Sequence, residues 1–576
     1  MKLYNTIGIL ILVISFSCQK KTEKTPSETL AYISTEINDQ KGYDEESYPL
    51  GLFTKEHYQQ EADFAQKKIK ELNAIEKDRL SESDQISLDL HLFTLQEKVD
   101  HYKFESYLNP LLSDAGFHND LIYQVKPLTN QDQVKKYITT LQAIPQFVDQ
   151  HIVLLREGLS KGISQPKVIF KGYESSYNKH IVDTIENSFF YSPFKKLPID
   201  LTNTQKDSIR LVVKQILTDS VIPQFKKIKT FFETEYLPNT RKQIGVSKIP
   251  NGAAYYQNRI NYYTTSIQYN AEKIHSIGLN EVARIKKEML AIIKETNFKG
   301  SFSEFISFLR TDQQFYAKTG DELLKEARNI CKKVDAQLPR FFKTLPRKPY
   351  GVAPVPDAIA PKYTSGRYVG SDQDTEPGYY WVNTHNLSSR PLYTLPALSV
   401  HEAVPGHHLQ GSLNNELGDS IPQFRKDLYL SAYGEGWALY TEYLAEEMGI
   451  YTNSYEQFGK LTYEMWRACR LVVDTGIHAK DWSRDQVIDF LSTNTALSLH
   501  EINTETDRYI AWPGQALSYK IGELKIRELR VLAQEELKDK FDIREFHETI
   551  LEQGTVTLPI LEKRIIEYIN YKKEKY

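Results

Sequence analysis

Apolar residues recur at three- and four-residue spacings over most of the chain from about Ser27 to about Leu345, which is the pattern of helices that bury one face. HYQQEADFAQKKIKELNAIEK, ISLDLHLFTLQEKVDHYKF and NAEKIHSIGLNEVARIKKEMLAIIKET are clear examples. No segment repeats at a fixed period, so a solenoid is not supported. The pattern breaks over 339–361, where Pro339, Pro346, Pro349, Pro354, Pro356 and Pro361 exclude a helix interior. That stretch reads as an extended crossing between lobes. YTSGRYVG and GYYWVNTHN follow, aromatic and β-prone, and predict a small sheet. From about residue 391 the helical pattern resumes. The expected fold is mostly α with a small β-sheet. It has an N-terminal helical region over 31–250 and a second region over 251–576, continuous with the first.

Composition narrows the function classes. Of 576 residues, 40% are hydrophobic and 26% charged, and the net charge is −3, which argues against a nucleic-acid binder. Three cysteines exclude a disulfide scaffold or a Cys-ligated metal, so any metal must be held by His and carboxylates. Residues 1–18 have the form of a secretory signal: Lys2, then an apolar run from Ile7 to Phe16, too short for a bilayer span of roughly 20 residues. The run ends in Ser-Phe-Ser-Cys, which resembles a bacterial lipobox with Cys18 as the lipidated residue. The competing reading is an ordinary signal peptide with an incidental cysteine. Residues 19–30 read as a polar tether. These features place the chain in the cell envelope, facing periplasm or exterior, with the membrane as partner through the anchor only.

The chemistry concentrates at His401-Glu402-Ala403-Val404-Pro405-Gly406-His407-His408, which holds three of the chain's 14 histidines in eight positions. Imidazoles can hold Zn²⁺ and leave a position for water, whose proton a neighbouring carboxylate can take. The spacing is unusual. On a regular helix His407 lies about 240° around from His401, and His408 lies roughly 10.5 Å further along the axis. Neither pair closes on one metal unless the helix breaks at 403–406, where Pro405 and Gly406 allow it. Glu435, in the helical stretch SAYGEGWALYTEYLAEEMG, is the candidate third ligand; alone it would read as a first-turn glutamate favoured by the helix dipole. Glu442, seven residues on and on the same face, is a candidate partner for a ligating histidine.

The motifs H-E-A-V-P-G-H-H-L-Q, Y-G-E-G-W-A-L-Y, D-T-G-I-H and R-Y-I-A-W-P-G-Q-A-L-S-Y-K-I-G together resemble the bacterial family catalogued as domain of unknown function 885, grouped with zincin-like metallopeptidases. The layout is also similar to gluzincins related to oligopeptidases and metallocarboxypeptidases. That resemblance implies a helical metallopeptidase with an internal cleft, bound zinc, and GYYWVNTHN as the edge strand of the site. It implies His401, His407 and Glu435 as ligands, with His407 preferred to His408 because it follows Gly406, and His408 kept as the alternative. Glu402 would be the general base. Tyr509 and Tyr519 are candidate oxyanion donors and Arg508 a candidate substrate contact, beside ordinary packing roles for the tyrosines. The two extra residues relative to H-E-x-G-H depart from the relatives' pattern.

Other residues carry weaker signals. Asp474 and His478, four apart, read as a hydrogen-bonded structural pair, and Cys469 as a buried core thiol. His385 falls in the expected edge strand. Arg390 reads first as a surface arginine and second as a group that captures a substrate carboxylate. The leading expectation is a zinc metallopeptidase acting on oligopeptides. The alternatives are a non-catalytic peptide- or glycan-binding envelope lipoprotein and a metallohydrolase of another amide.

Overall fold

A computed structural model describes residues 24–357, 359–371 and 375–575, apart from the side chain of Lys362. Cys18, the signal sequence and the start of the tether lie outside the described residues. The expected tether is shorter than 19–30: helix α1 (Pro26–Asp39) begins at Pro26, fixed by a capping box between Thr25 and Glu28. Helices α2 (Lys55–Asn73) and α3 (Glu82–Lys103) pack with it around a small core of Leu30, Ile33, Ala65, Leu72 and Leu88. The long α4 (Gln131–Ser160) joins a much larger core that runs from Ile86 to Ile569 and draws on both expected regions.

The helices that position the site come later. α5 (Gly252–Tyr263) and α6 (Ala271–Glu295) precede the sheet. α7 (Leu395–Glu402), α8 (His407–Glu416), α9 (Ser431–Glu447), α10 (Ser454–Ala479), α11 (Leu499–Ala511) and α12 (Leu517–Leu537) follow it. α10 is buried at every position from Phe458 to His478, so it is the axial helix around which the others pack. α6 lies along it closely enough that a Cβ on Gly278 would come within 2.8 Å of Leu471. α9 and α12 approach just as closely. A Cβ on Gly522 would meet the Ala432 carbonyl at 1.9 Å. No described helix is long and apolar enough to cross a membrane.

The sheet has three strands in the order β1 (Tyr350–Pro354), β3 (Gly378–Val382), β2 (Gly366–Val369). β1 runs parallel to β3 and β2 antiparallel to it, with Gly366 opposite Val382. The proline-rich stretch expected to cross between lobes therefore donates a strand, its prolines falling at the strand's end, at the starts of two short helical turns and in the loops between. GYYWVNTHN is not the edge strand: β3 is central, and β2 is the edge that faces the site. His385 lies beyond β3 in an exposed loop.

Candidate metal centre

α7 stops at Glu402, and the chain turns at Ala403 and the cis Val404–Pro405 bond before α8 starts at His407. The turn folds back on the helix it leaves: the Gly406 amide donates to the Val400 carbonyl at 2.9 Å and the His408 amide to the Ala403 carbonyl at 3.1 Å. A side chain at 406 has no room, since a Cβ there would lie 1.9 Å from the His401 carbonyl. The buried Trp437 indole of α9 donates to the Pro405 carbonyl at 2.9 Å and pins the turn from the other side. The expected helix break at 403–406 is thus present, and it swings His407 towards His401 until their rings are 4.9 Å apart and nearly perpendicular.

Glu435 is the fifth residue of α9, just past the first turn where the sequence had placed it. One ligand atom from each of His401, His407 and Glu435 lies within 4.8 Å of the others. Glu435 Oε2 is 3.5 Å from His401 Nε2 and 3.4 Å from His407 Nε2. Donors at about 2.0–2.1 Å from a tetrahedral zinc stand roughly 3.3 Å apart, close to both Glu435–imidazole separations. His401 Nδ1 donates to Glu442 Oε1 at 2.7 Å, which leaves Nε2, the nitrogen facing Glu435, as the one that gives up its proton when a metal binds. Glu442 is buried, meets Arg467 at 3.5 Å, and keeps Oε2 without a partner.

The electrostatics favour a cation here. Burial alone would depress the His401 pKa, but Glu435, Glu442 and Glu402 outweigh it and push it up to about 10. Burial would raise Glu435, yet the two imidazoles hold it well below the usual carboxylate range. Glu402 is buried beside His401, and its Oε2 accepts the Tyr368 amide of β2 at 2.8 Å. The edge strand therefore aims the carboxylate, while its other oxygen has no hydrogen-bond partner among the described residues.

His408, the alternative second histidine, is not brought to this group. It points away, buried, with Nε2 donating to the Lys348 carbonyl at 3.1 Å and Nδ1 accepting from Tyr368 and Ser412 at 3.3 and 3.2 Å. Burial pushes its pKa down to about 4. Tyr509 is not placed for an oxyanion either: it is buried, and its hydroxyl accepts from the Trp466 indole at 2.8 Å and Arg470 Nε at 2.9 Å. Tyr519 stacks against the Arg470 guanidinium at 4.2 Å. Arg508 holds Gln515 at 3.1 Å and Glu505 at 3.5 Å. Asp474 and His478 are not bonded to each other. Asp474 accepts from the Tyr256 hydroxyl and the Gly514 amide, and His478 bridges the Val246 amide and the Tyr509 carbonyl. Cys331 and Cys469 are buried free thiols.

The structure adds one residue that the sequence reading missed, Tyr429. It is 54% exposed as a residue, but its hydroxyl end lies deep: burial, then Glu435, holds its pKa well above the phenol range, with Tyr519 and Glu402 adding to this. Its ring rests on Gly434, where a Cβ would come within 2.4 Å of it, so the glycine before Glu435 is what admits the phenol to the site. The signal in the sequence is that glycine, the fourth residue of α9 and next to a candidate ligand.

Residues 38–565 match the family described as Bacterial protein of unknown function (DUF885). No curated protein matches the chain. Among solved structures it is similar to a candidate lipoprotein from Colwellia psychrerythraea, with a TM-score of 0.86 and 27% identity over 95% of this chain and 100% of that one. A candidate lipoprotein of unknown function from Shewanella oneidensis shares the fold alone, with a TM-score of 0.69 and 16% identity over 94% and 100% of the two chains.

Proposed function

The chain belongs to the DUF885 family of bacterial proteins, and from that premise we propose that it is a metal-dependent peptidase of the zincin kind, hydrolysing peptide bonds in oligopeptides. The convergence of His401, His407 and Glu435 within 4.8 Å, with Glu402 adjoining, carries the reading. A divalent ion held there, zinc by its donor set, would polarise both the attacking water and the scissile carbonyl. Glu402 takes the water's proton through its free carboxylate oxygen and returns it to the leaving amine. Glu442 keeps His401 in the tautomer that ligates. Tyr429, across Glu435, would stabilise the oxyanion by a hydrogen bond from its hydroxyl as it forms. Lipidation at Cys18 would tether this enzyme to the envelope, a reading supported by the lipobox-like leader and by the description of the Colwellia psychrerythraea relative.

The test is Glu402→Gln. Protein soaked in zinc and freed of excess should carry one equivalent in both forms by elemental analysis, while only the wild type cleaves a mixed oligopeptide substrate. Wild-type protein without stoichiometric metal, or a variant with full turnover, would overturn the assignment.

A further inference from the structure

A cavity of about 270 Å³ is lined by none of His401, Glu402, His407 and Glu435, but three elements that carry those residues or their partners also contribute to its wall. Leu395 and Leu398 of α7 line it, and His401 and Glu402 follow Leu398 by three and four residues, about 5 Å along the axis. Ser365, on its wall, precedes β2, whose Tyr368 amide holds Glu402. Tyr463 of α10 lines it, one turn before the Arg467 that meets Glu442. The rest of the wall is mainly apolar and aromatic, with Leu497, Tyr316 and Tyr393, interspersed with short polar side chains such as Asn383, Ser388, Thr462 and Ser498.

Two arginines interrupt that wall, and neither has a carboxylate within 4.0 Å among the described residues. Arg310 is committed to the Leu497 and Thr495 carbonyls at 3.0 and 2.9 Å. Arg390 is half-buried rather than on the surface; Nη1 donates to Ser365 Oγ at 3.0 Å, and Nε is sealed from solvent without a partner. Glu501 is the one carboxyl group on the wall. Burial raises its pKa to about 7 against the pull of Arg390, so near neutral pH it neutralises the arginines only in part. Guanidinium stays charged at all working pH values, and burying such charge without a counterion is costly. The cavity therefore complements an anion with an apolar body. Its volume lies below the roughly 300–1,000 Å³ of sites that enclose a drug-sized ligand, which suits a single amino-acid residue.

We infer that this cavity receives the C-terminal residue of the substrate, with its free carboxylate on Arg390 and its side chain against the leucine and tyrosine wall. The enzyme is then a carboxypeptidase that releases apolar C-terminal residues. The inference rests on the peptidase reading above, but the two can fail separately.

The experiment uses zinc-loaded Glu402→Gln protein, which binds without turnover, titrated with N-acetyl-Leu-Phe and with its C-terminal amide. The free acid should bind at least tenfold more tightly than the amide. The preference should vanish in Glu402→Gln/Arg390→Gln and survive in part in Glu402→Gln/Arg390→Lys, which keeps the charge but not the fork. Equal binding of acid and amide, which needs no cavity variant, overturns the inference, as does a preference that persists without Arg390. If wild-type protein cleaves free and amidated peptides equally well, the peptidase reading stands and the cavity assignment falls. If it cleaves neither while the acid preference holds, the cavity stands and the peptidase reading falls.

Discussion

An imidazole ligates a metal through one nitrogen only when something fixes the proton on the other. At His401 that is Glu442, 2.7 Å from Nδ1. Glu442→Gln keeps the volume but weakens the acceptor, and outer-shell changes of this type typically cost roughly 10–100-fold in metal affinity. Competition with a zinc-binding dye should show a loss of that size, with the melting temperature of the metal-free protein little changed; an unaltered affinity would remove Glu442 from the site. Tyr429 and Tyr509 separate just as cleanly. Tyr429→Phe removes a hydroxyl beside Glu435 and should lower kcat by about 10²-fold with metal content intact, the usual scale for one oxyanion donor. Tyr509→Phe leaves the buried Trp466 and Arg470 donors without their acceptor. It should therefore lower stability by about 1–3 kcal/mol in a urea titration. If Tyr429→Phe leaves kcat untouched, the oxyanion assignment fails. The convergence of His401, His407 and Glu435 and the pairing of His401 with Glu442 were legible in the sequence because these residues fall in two short motifs whose residue types have few other uses together. Tyr429 was not legible, because one tyrosine among 37 carries no mark of its own.

At the level of elements, the site depends on two helices that end or begin where a glycine permits. The break between α7 and α8 followed from the arithmetic of helical spacing, since His401 and His407 could not meet otherwise, and Pro405 and Gly406 supplied a cause. Gly434 is the second such position. Gly434→Ala would drive a Cβ into the Tyr429 ring at 2.4 Å, and the ring, being half exposed, can swing out without unfolding α9. The expected result is a folded, metal-replete protein with the kinetic defect of Tyr429→Phe, read from kcat and from metal content together; an alanine variant with normal kcat would show that the ring's position is immaterial. The sheet was legible as a sheet but not in its order. Strand propensity along Gly378–Val382 reports a pleated, half-buried segment and does not report which neighbours flank it. β3 is central because β1, drawn from the proline-rich stretch, pairs with it in parallel, and that pairing leaves β2 as the strand that reaches Glu402.

Across the whole molecule, α10 is the member to which distant parts of the chain are tied, and Asp474 is one of its ties. Its carboxyl accepts from Tyr256 of α5 at 2.6 Å and from the Gly514 amide at 3.1 Å, joining three segments at one buried group. The sequence offered His478 as its partner because helix spacing reveals neighbours on the same face; it cannot reveal a tyrosine that arrives from more than 200 residues away. The consequence is a pH dependence of stability with a definite sign. Burial raises the Asp474 pKa to about 7, against about 3.9 in an unfolded chain. Between those values the folded protein holds a proton that the unfolded chain has released, so this group lowers stability as pH rises from about 4 to about 7. Above 7 the native state carries a buried carboxylate whose cost is on the order of 1–4 kcal/mol. Asp474→Asn retains an oxygen that can accept from Tyr256 and Gly514 and has no proton to lose. Relative to wild type it should therefore gain stability steadily between pH 5 and pH 8 in paired urea titrations. Glu501, raised to about 7 by burial as well, leaves a residual slope of the same sign in the variant. Parallel pH profiles for the two proteins would mean that Asp474 is ionised in the folded state throughout, with the Tyr256 and Gly514 donors sufficient to hold the charge at the centre of the fold.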